Sequence, residues 1–369
     1  MEPEGLFLTA PPGLEPFLAE EAVAAGFGDV VAQPGGVSLA GGWATAWRAN
    51  LQLRGATRVL ARLTSFYAVH LAQLDKRARR LPWAALLGGR APVAVDASCR
   101  KSRIYHEGAA AERLRAALEA SGLRTGPGGL RLMLRIEADL CTISLDTSGE
   151  PLHRRGFKQA VGRAPMRETM AALFLRACGY CGREALLDPM CGSGSFPIEA
   201  AEIGAGLMPG RARQFAFEQL PGFDPEAFAT LRQTDSPGNA PLCFGSDRDA
   251  GAVVMAQANA ARAGVAALTR FSHRAVSDIA RPDSAGAPDA EPGLVMVNPP
   301  YGGRIGKTGA LTALYAALGK TLKARFVGWR VGLITAQAPL AQASGLPFGP
   351  PGPAVPHGPL KVRLYQAQL

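Results

Sequence analysis

The chain has 369 residues, 47% hydrophobic and 19% charged, with a mean hydropathy of +0.05. That is enough apolar side chain for two domains with cores of their own, and it excludes a disordered or fibrous protein. Forty Lys plus Arg against thirty Asp plus Glu gives a net charge of +10, which suits a polyanionic partner but predicts solubility as readily as function. The excess is regional: residues 1–50 carry a net −5, residues 51–165 a net +11 and residues 166–369 a net +4.

In chain order, the first fifty residues read as a small α/β unit: a strand at 6–9, a Pro-Gly turn, a helix over 14–25 ending at Gly26, and a strand at 36–39. A run at 57–66 alternates apolar and basic residues, the pattern of a sheet with one wet, positive face. Residues 71–87 have helical period and carry Lys76, Arg77, Arg79 and Arg80. A strand at 92–97 leads into Arg100, Lys101 and Arg103, a helix is expected over 108–121, and strands at 130–137 and 140–146 complete an α/β domain. Between Arg54 and Arg103 there are eleven basic residues and two acidic ones. They recur on three elements that could line one surface, as a phosphate-binding footprint requires, although a solvated face would look the same. No aromatic-rich strand for stacking single-stranded bases is evident, so a nucleic-acid-binding surface here would read backbone shape.

Residues 147–165 have the turn-rich composition of a linker and include Arg154 and Arg155. After a helix over 166–178 the pattern becomes strand (185–188), glycine loop (189–195) and helix (196–203). Apolar strands at 241–245 and 293–297 then alternate with helices at 250–263 and 310–323. Alternation of this kind predicts a doubly wound parallel sheet.

Three elements of that half carry chemistry. The loop Asp188-Pro189-Met190-Cys191-Gly192-Ser193-Gly194-Ser195 joins a buried strand to a helix N-terminus, where free N–H groups and the positive helix end attract an anion. It lacks the third glycine of a dinucleotide fingerprint and the Lys-Ser/Thr of a phosphate-cradling loop, and a tight structural turn would also explain it. Asp247 follows a strand and opens a helix, where it could accept hydrogen bonds from ribose hydroxyls or simply cap the helix. It stands 53 residues after Gly194 instead of the usual ~20, which implies an insertion over 204–239. The strand at 294–297 runs into Asn298-Pro299-Pro300-Tyr301-Gly302. Two prolines lock a loop at the strand end where open α/β sheets bind ligands, but a structural turn does not explain Asn and Tyr flanking them.

The pair Asp188–Ser195 and Asn298–Gly302 resembles the cofactor and catalytic loops of class I S-adenosylmethionine-dependent methyltransferases acting on exocyclic amines. Residues 144–157, 164–169 and 211–218 resemble the junctions of THUMP-domain RNA guanine-N2 methyltransferases, nearest the bacterial 23S rRNA (guanine-N2) RlmL family. The resemblance implies a ferredoxin-like N-terminal subdomain over 1–55, a THUMP RNA-binding domain over 56–150, a linker over 151–165 and a Rossmann-like methyltransferase domain over 166–369. Some relatives carry a second methyltransferase domain; with 369 residues, one activity is expected. It further implies that S-adenosyl-L-methionine lies across residues 188–194, with Asp247 on the ribose and Asp278 on the adenine. Asn298 and Pro299 would accept N–H bonds from the target amine, and Tyr301 would stack on the flipped base. RNA, most readily rRNA, is the expected partner, with Arg304 near the target nucleotide. A tRNA guanine-N2 methyltransferase, an N6-adenine nucleic-acid methyltransferase and a non-catalytic RNA-binding protein are the alternatives.

The six cysteines (99, 141, 178, 181, 191 and 243) are too scattered for a disulfide framework. Cys178-Gly-Tyr-Cys181 has half a zinc spacing with no second pair, so no metal is expected. The acidic N-terminus and the absence of an apolar run of roughly 18–20 residues lead to the expectation of a soluble, cytoplasmic protein without a membrane partner. The oligomeric state is left open.

Overall fold

The computed structural model describes residues 1–159, 166–233, 240–282, 292–302 and 308–369. Residues 160–165 of the expected linker, and Arg304, lie outside the described residues.

Leu130, Leu132, Leu134 and Ile136 are buried while Arg131 and Arg135 between them are exposed, the period of two that builds a sheet with one wet face. That strand belongs to a seven-stranded sheet made of β1 (Gly5–Thr9), β2 (Val31–Gln33), β3 (Gly36–Leu39), β4 (Arg58–Tyr67), β5 (Val93–Arg100), β6 (Leu130–Glu137) and β7 (Leu140–Asp146), in the order β2-β3-β1-β4-β7-β6-β5. Only β5 and β6 pair in parallel. Because β1 pairs with β4, with Leu6 opposite Ala61, the residues before and after position 55 share one sheet. The accompanying helices are α1 (Glu15–Ala24), α2 (Trp43–Gln52), α3 (Leu71–Ala78), α4 (Trp83–Leu87) and α5 (Glu107–Ala120). The single helix expected over 71–87 is thus two. Pro82 stands at the N-cap of α4, where a residue with a ring and no N–H starts a helix but cannot continue one. The break is itself packed: Trp83 is fully buried and its Nε1–H donates to the Ala78 carbonyl at 2.8 Å.

The second half contains α6 (Glu168–Ala177), β8 (Leu186–Asp188), α7 (Ser195–Gly204), α8 (Pro225–Leu231), β9 (Cys243–Asp247), α9 (Ala250–Ala263), β10 (Thr269–His273), β11 (Leu294–Val297), α10 (Thr308–Arg325), β12 (Arg330–Thr335), α11 (Ala338–Ala343), β13 (Val355–His357) and β14 (Leu360–Gln368). Its sheet has the order β10-β9-β8-β11-β12-β14-β13, parallel from β10 to β12 and closed by an antiparallel β14. Every residue of β8 and β11 is buried, as both-face coverage requires. Strand order reverses between β8 and β11, which makes their C-terminal ends the natural ligand crevice. Residues 347–359 hold six prolines, yet they run beside β14. Two of their glycines donate to it: Gly349 to Gln366 O at 3.0 Å and Gly352 to Leu364 O at 2.8 Å.

By contact the chain divides into two units, one of residues 1–10, 22–152 and 210–233, the other of residues 11–21, 153–209 and 234–369. Residues 210–233, expected inside the catalytic domain, therefore belong with the first sheet. The reason is aromatic. Phe215 and Phe217 stack with centroids 5.1 Å apart, Phe228 meets Phe217 edge-on at 5.1 Å, and Trp47 on α2 lies 6.0 Å from Phe217. Backbone bonds from Gly210 N to Leu51 O and from Phe217 N to Thr147 O, at 3.0 and 3.1 Å, fix the segment. No helix among the described residues is long and apolar enough to cross a membrane.

Candidate functional site

The loop leaving β8 is laced to the end of β9. Asp188 Oδ1 accepts from Met190 N at 3.0 Å, Cys191 N donates to Ser246 O at 2.9 Å, and Gly192 N donates to Asp247 Oδ2 at 3.0 Å. Gly194 caps α7 with φ +84, a left-handed conformation that costs glycine little. Gly245 is required by space, since a Cβ there would stand 2.6 Å from the Phe271 ring and 3.1 Å from Cys191 Cβ. Asp247 is not the helix cap: Asp249 caps α9 through Gly251 N, and Asp247 Oδ1 instead accepts from Asp249 N at 2.9 Å. Burial pushes the Asp188 carboxyl up to about 8, despite its bond from Met190, with a further push from Asp247. Burial also raises the Cys191 thiol, reinforced by Asp188 and Asp247, so this cysteine packs and does not attack. Asp278 is exposed beyond β10, where Ser277 Oγ donates to its Oδ1 at 3.0 Å.

On the neighbouring strand, β11 pairs in parallel with β8 (Val295 opposite Leu187), and Asn298 follows directly. Its side-chain Oδ1 is buried and, among the described residues, has no hydrogen-bond partner; the same is true of Ser246 Oγ. An unpaired buried acceptor costs free energy unless a ligand fills it. Pro299 is buried and Pro300 exposed, and the Pro300 carbonyl accepts from Tyr315 OH at 3.5 Å. The half-buried Tyr301 reaches His357 on β13, its OH 2.8 Å from Nδ1. Burial raises the phenols of Tyr301 and Tyr315, each to about 12.

Arg155, expected on RNA, is elsewhere. Its guanidinium is 1% exposed and bonds Glu199 and Glu202 of α7, the latter at 3.0 Å. Burial alone would disfavour its charge, but the two carboxylates outweigh it and hold the group more basic than usual. Lys158 Nζ donates to Met166 O at 2.6 Å and Ser195 Oγ at 2.7 Å, so residues 155–158 brace the helix that begins at the glycine loop. The signal missed was Glu199 and Glu202, spaced i, i+3 on an otherwise apolar helix. Arg154 is exposed.

In the first unit Lys76, Arg77, Arg79 and Arg80 are all exposed, and three of them line a cleft of about 430 Å³ with Gln73 and Tyr67. Tyr67 is 71% exposed, an aromatic face at the basic edge that the alternating run did not reveal. Arg100, Lys101 and Arg103 are exposed at the end of β5. Asp139 links the two groups: its carbonyl accepts from Ala68 N at 3.0 Å and its Oδ1 from Arg103 N at 2.7 Å. Cys178 and Cys181 face different partners, Met296 Sδ at 3.9 Å and Glu184 at 3.7 Å.

A parallel sheet whose order reverses beside a glycine loop, with an unpartnered amide oxygen just across the reversal, is the arrangement of a class I methyltransferase. Residues 155–346 match the family described as RMKL-like, methyltransferase domain, and residues 5–60 match the RlmL ferredoxin-like domain. The chain belongs to this RmKL-like methyltransferase family. It is 36% identical over 93% of its length to the ribosomal RNA large subunit methyltransferase K/L of Syntrophotalea carbinolica, of which it covers 51%; the chain spans about half the length of the first curated relatives it matches. A Listeria monocytogenes structure described as a predicted N6-adenine-specific DNA methylase superposes with a TM-score of 0.87 at 30% identity, covering 98% of this chain and 95% of its own. A provisionally named methyltransferase solved with S-adenosylhomocysteine superposes at 0.84 and 26% identity, covering 100% of this chain and 98% of its own.

Proposed function

We propose that this chain transfers a methyl group from S-adenosyl-L-methionine to the exocyclic N2 of a guanine in RNA, with 23S rRNA as the substrate and the cytoplasm as its place of action. The observation that carries the reading is Asn298 Oδ1, a buried acceptor without a described partner at the end of β11. The curated relative's rRNA name and the RlmL-type N-terminal domain support an RNA substrate. The open face of Gly192, where a Cβ would meet nothing within 4 Å, and the unpartnered Ser246 Oγ fit a cofactor seated on residues 188–194.

Bound S-adenosylmethionine supplies an electrophilic sulfonium methyl. Asp188, Asp247 and Asp278 would hold its polar parts. An exocyclic amine is a poor nucleophile because its lone pair is delocalised into the ring. Asn298 Oδ1 and the Pro299 carbonyl each accept one N–H, drawing the nitrogen toward tetrahedral geometry and aiming its lone pair; positioning of this kind needs no strong base. Tyr301 stacks on the base once it has left its helix. The basic edge around Lys76 to Arg80 and Arg100 to Arg103 neutralises phosphates, as the THUMP-like reading of residues 56–150 requires.

Nucleosides from 23S rRNA, tRNA and DNA of a deletion strain, measured by mass spectrometry, test this. Loss of N2-methylguanosine from 23S rRNA is expected. Loss from tRNA alone would move the substrate, and loss of N6-methyladenine from DNA, the activity in the Listeria protein's description, would overturn the reading.

A further inference from the structure

We propose that His357 is a positioning residue for methyl transfer, holding the Tyr301 phenol from the tip of the C-terminal hairpin and so fixing the position of the ring on which the target base stacks. The proposal rests on the reading of Tyr301 as that stacking surface.

Tyr301 OH lies 2.8 Å from His357 Nδ1. Burial raises the phenol, so it keeps its proton and can donate to Nδ1 where the imidazole carries its hydrogen on Nε2. His357 ends β13 and stands opposite Leu360 of β14, across a two-residue turn in which Gly358 has φ +60. The other side of that turn meets the same loop, since a Cβ at Gly302 would lie 3.4 Å from Leu360 Cδ1. One residue earlier, Tyr315 OH reaches the Pro300 carbonyl at 3.5 Å and is itself 3.2 Å from Thr335 Oγ1. Residues 300 and 301 are therefore each held by an element distant in sequence, and Gly302 lies beside Leu360. Of these three contacts, only the imidazole touches the polar end of the ring. A stacking ring anchored at its far end cannot swing about its Cα–Cβ bond, and a base stacked on a ring held this way needs little reorganisation before transfer.

Transfer kinetics on a 23S rRNA transcript with the full chain test this, using wild type, His357→Ala, His357→Asn, Tyr301→Phe, Tyr301→Ala and the Tyr301→Phe/His357→Ala double variant. Loss of one hydrogen bond predicts that His357→Ala lowers kcat roughly fivefold to tenfold, with KM for RNA, cofactor affinity and thermal stability close to wild type. His357→Asn, which keeps an acceptor, restores most of the rate. In the Tyr301→Phe background His357→Ala costs nothing further. Equal losses in both backgrounds, or a loss confined to cofactor affinity or stability, would overturn the proposal. So would a wild-type kcat in His357→Ala while Tyr301→Ala is slow, and that outcome leaves the stacking reading standing. A wild-type rate in Tyr301→Ala would instead remove the stacking reading and this proposal with it.

Discussion

The carboxylate of Asp247 accepts a hydrogen bond from the backbone N–H of Gly192, at 3.0 Å and 55 residues away in sequence. With Asp249 N on its other oxygen at 2.9 Å, this one side chain sets the distance between the glycine loop and the start of α9. Asp247→Ala is therefore expected to lower stability by about 1–3 kcal/mol, the scale of hydrogen bonds to a charged acceptor, and to weaken cofactor binding more than tenfold. Asp247→Asn, which keeps one acceptor oxygen, falls between. Urea unfolding and calorimetric titration check both.

Asn298→Ala removes the unpartnered acceptor without disturbing a described bond. Its expected effect is a fall in transfer of at least about a hundredfold, with S-adenosylmethionine affinity nearly unchanged. Wild-type transfer in a radiolabel assay would sink the mechanism.

Charge reversal at Lys76, Arg77 and Arg80, the three cations of the cleft, should weaken RNA binding at every sequence. It should also flatten the dependence of log K on log salt by about two to three units, leaving cofactor affinity alone. Filter binding across a salt series decides it.

Arg155→Met removes the buried guanidinium that Glu199 and Glu202 share. Stability is expected to fall by about 3–5 kcal/mol, with no change in the salt slope of RNA binding. A changed slope would return Arg155 to the RNA surface.

Asp188 gives a pH dependence. Its folded-state pKa, pushed up to about 8, lies above an unfolded value of about 3.9, so the unfolded chain loses this proton first. Its contribution to stability is complete below about pH 4, declines as pH rises and is gone above about 8. Asp188→Asn lacks that decline, so the variant should gain on the wild type steadily between pH 5 and 8. Denaturant midpoints at several pH values measure it, and a constant difference would refute it.

Much of the fold was legible where the pattern is local. The alternation at 130–137 and the apolar faces at 250–263 gave strands and a helix with the observed bounds, because burial on one side writes a period into the sequence. The glycine loop and Asn298–Tyr301 were legible because special backbone needs special residues. What escaped depends on partners far away. Arg155 reads as one more arginine in a basic run until Glu199 and Glu202 are beside it. His357 sits in a stretch of prolines with nothing nearby to point at Tyr301. The short strand β12, Arg330–Thr335, follows a long helix without a glycine loop or motif to mark it, and was not among the expected elements.

Trp47 waits for Phe217, Phe223 and Phe228, which the ribosome adds about 170 residues later. The first unit thus cannot finish its core as it emerges. Its last strand is made by residue 146, but the aromatic cluster closes only after residue 228, when β8 and the glycine loop already exist. Vectorial folding from the N-terminus is interrupted, and completion of the first unit is coupled in time to synthesis of the second.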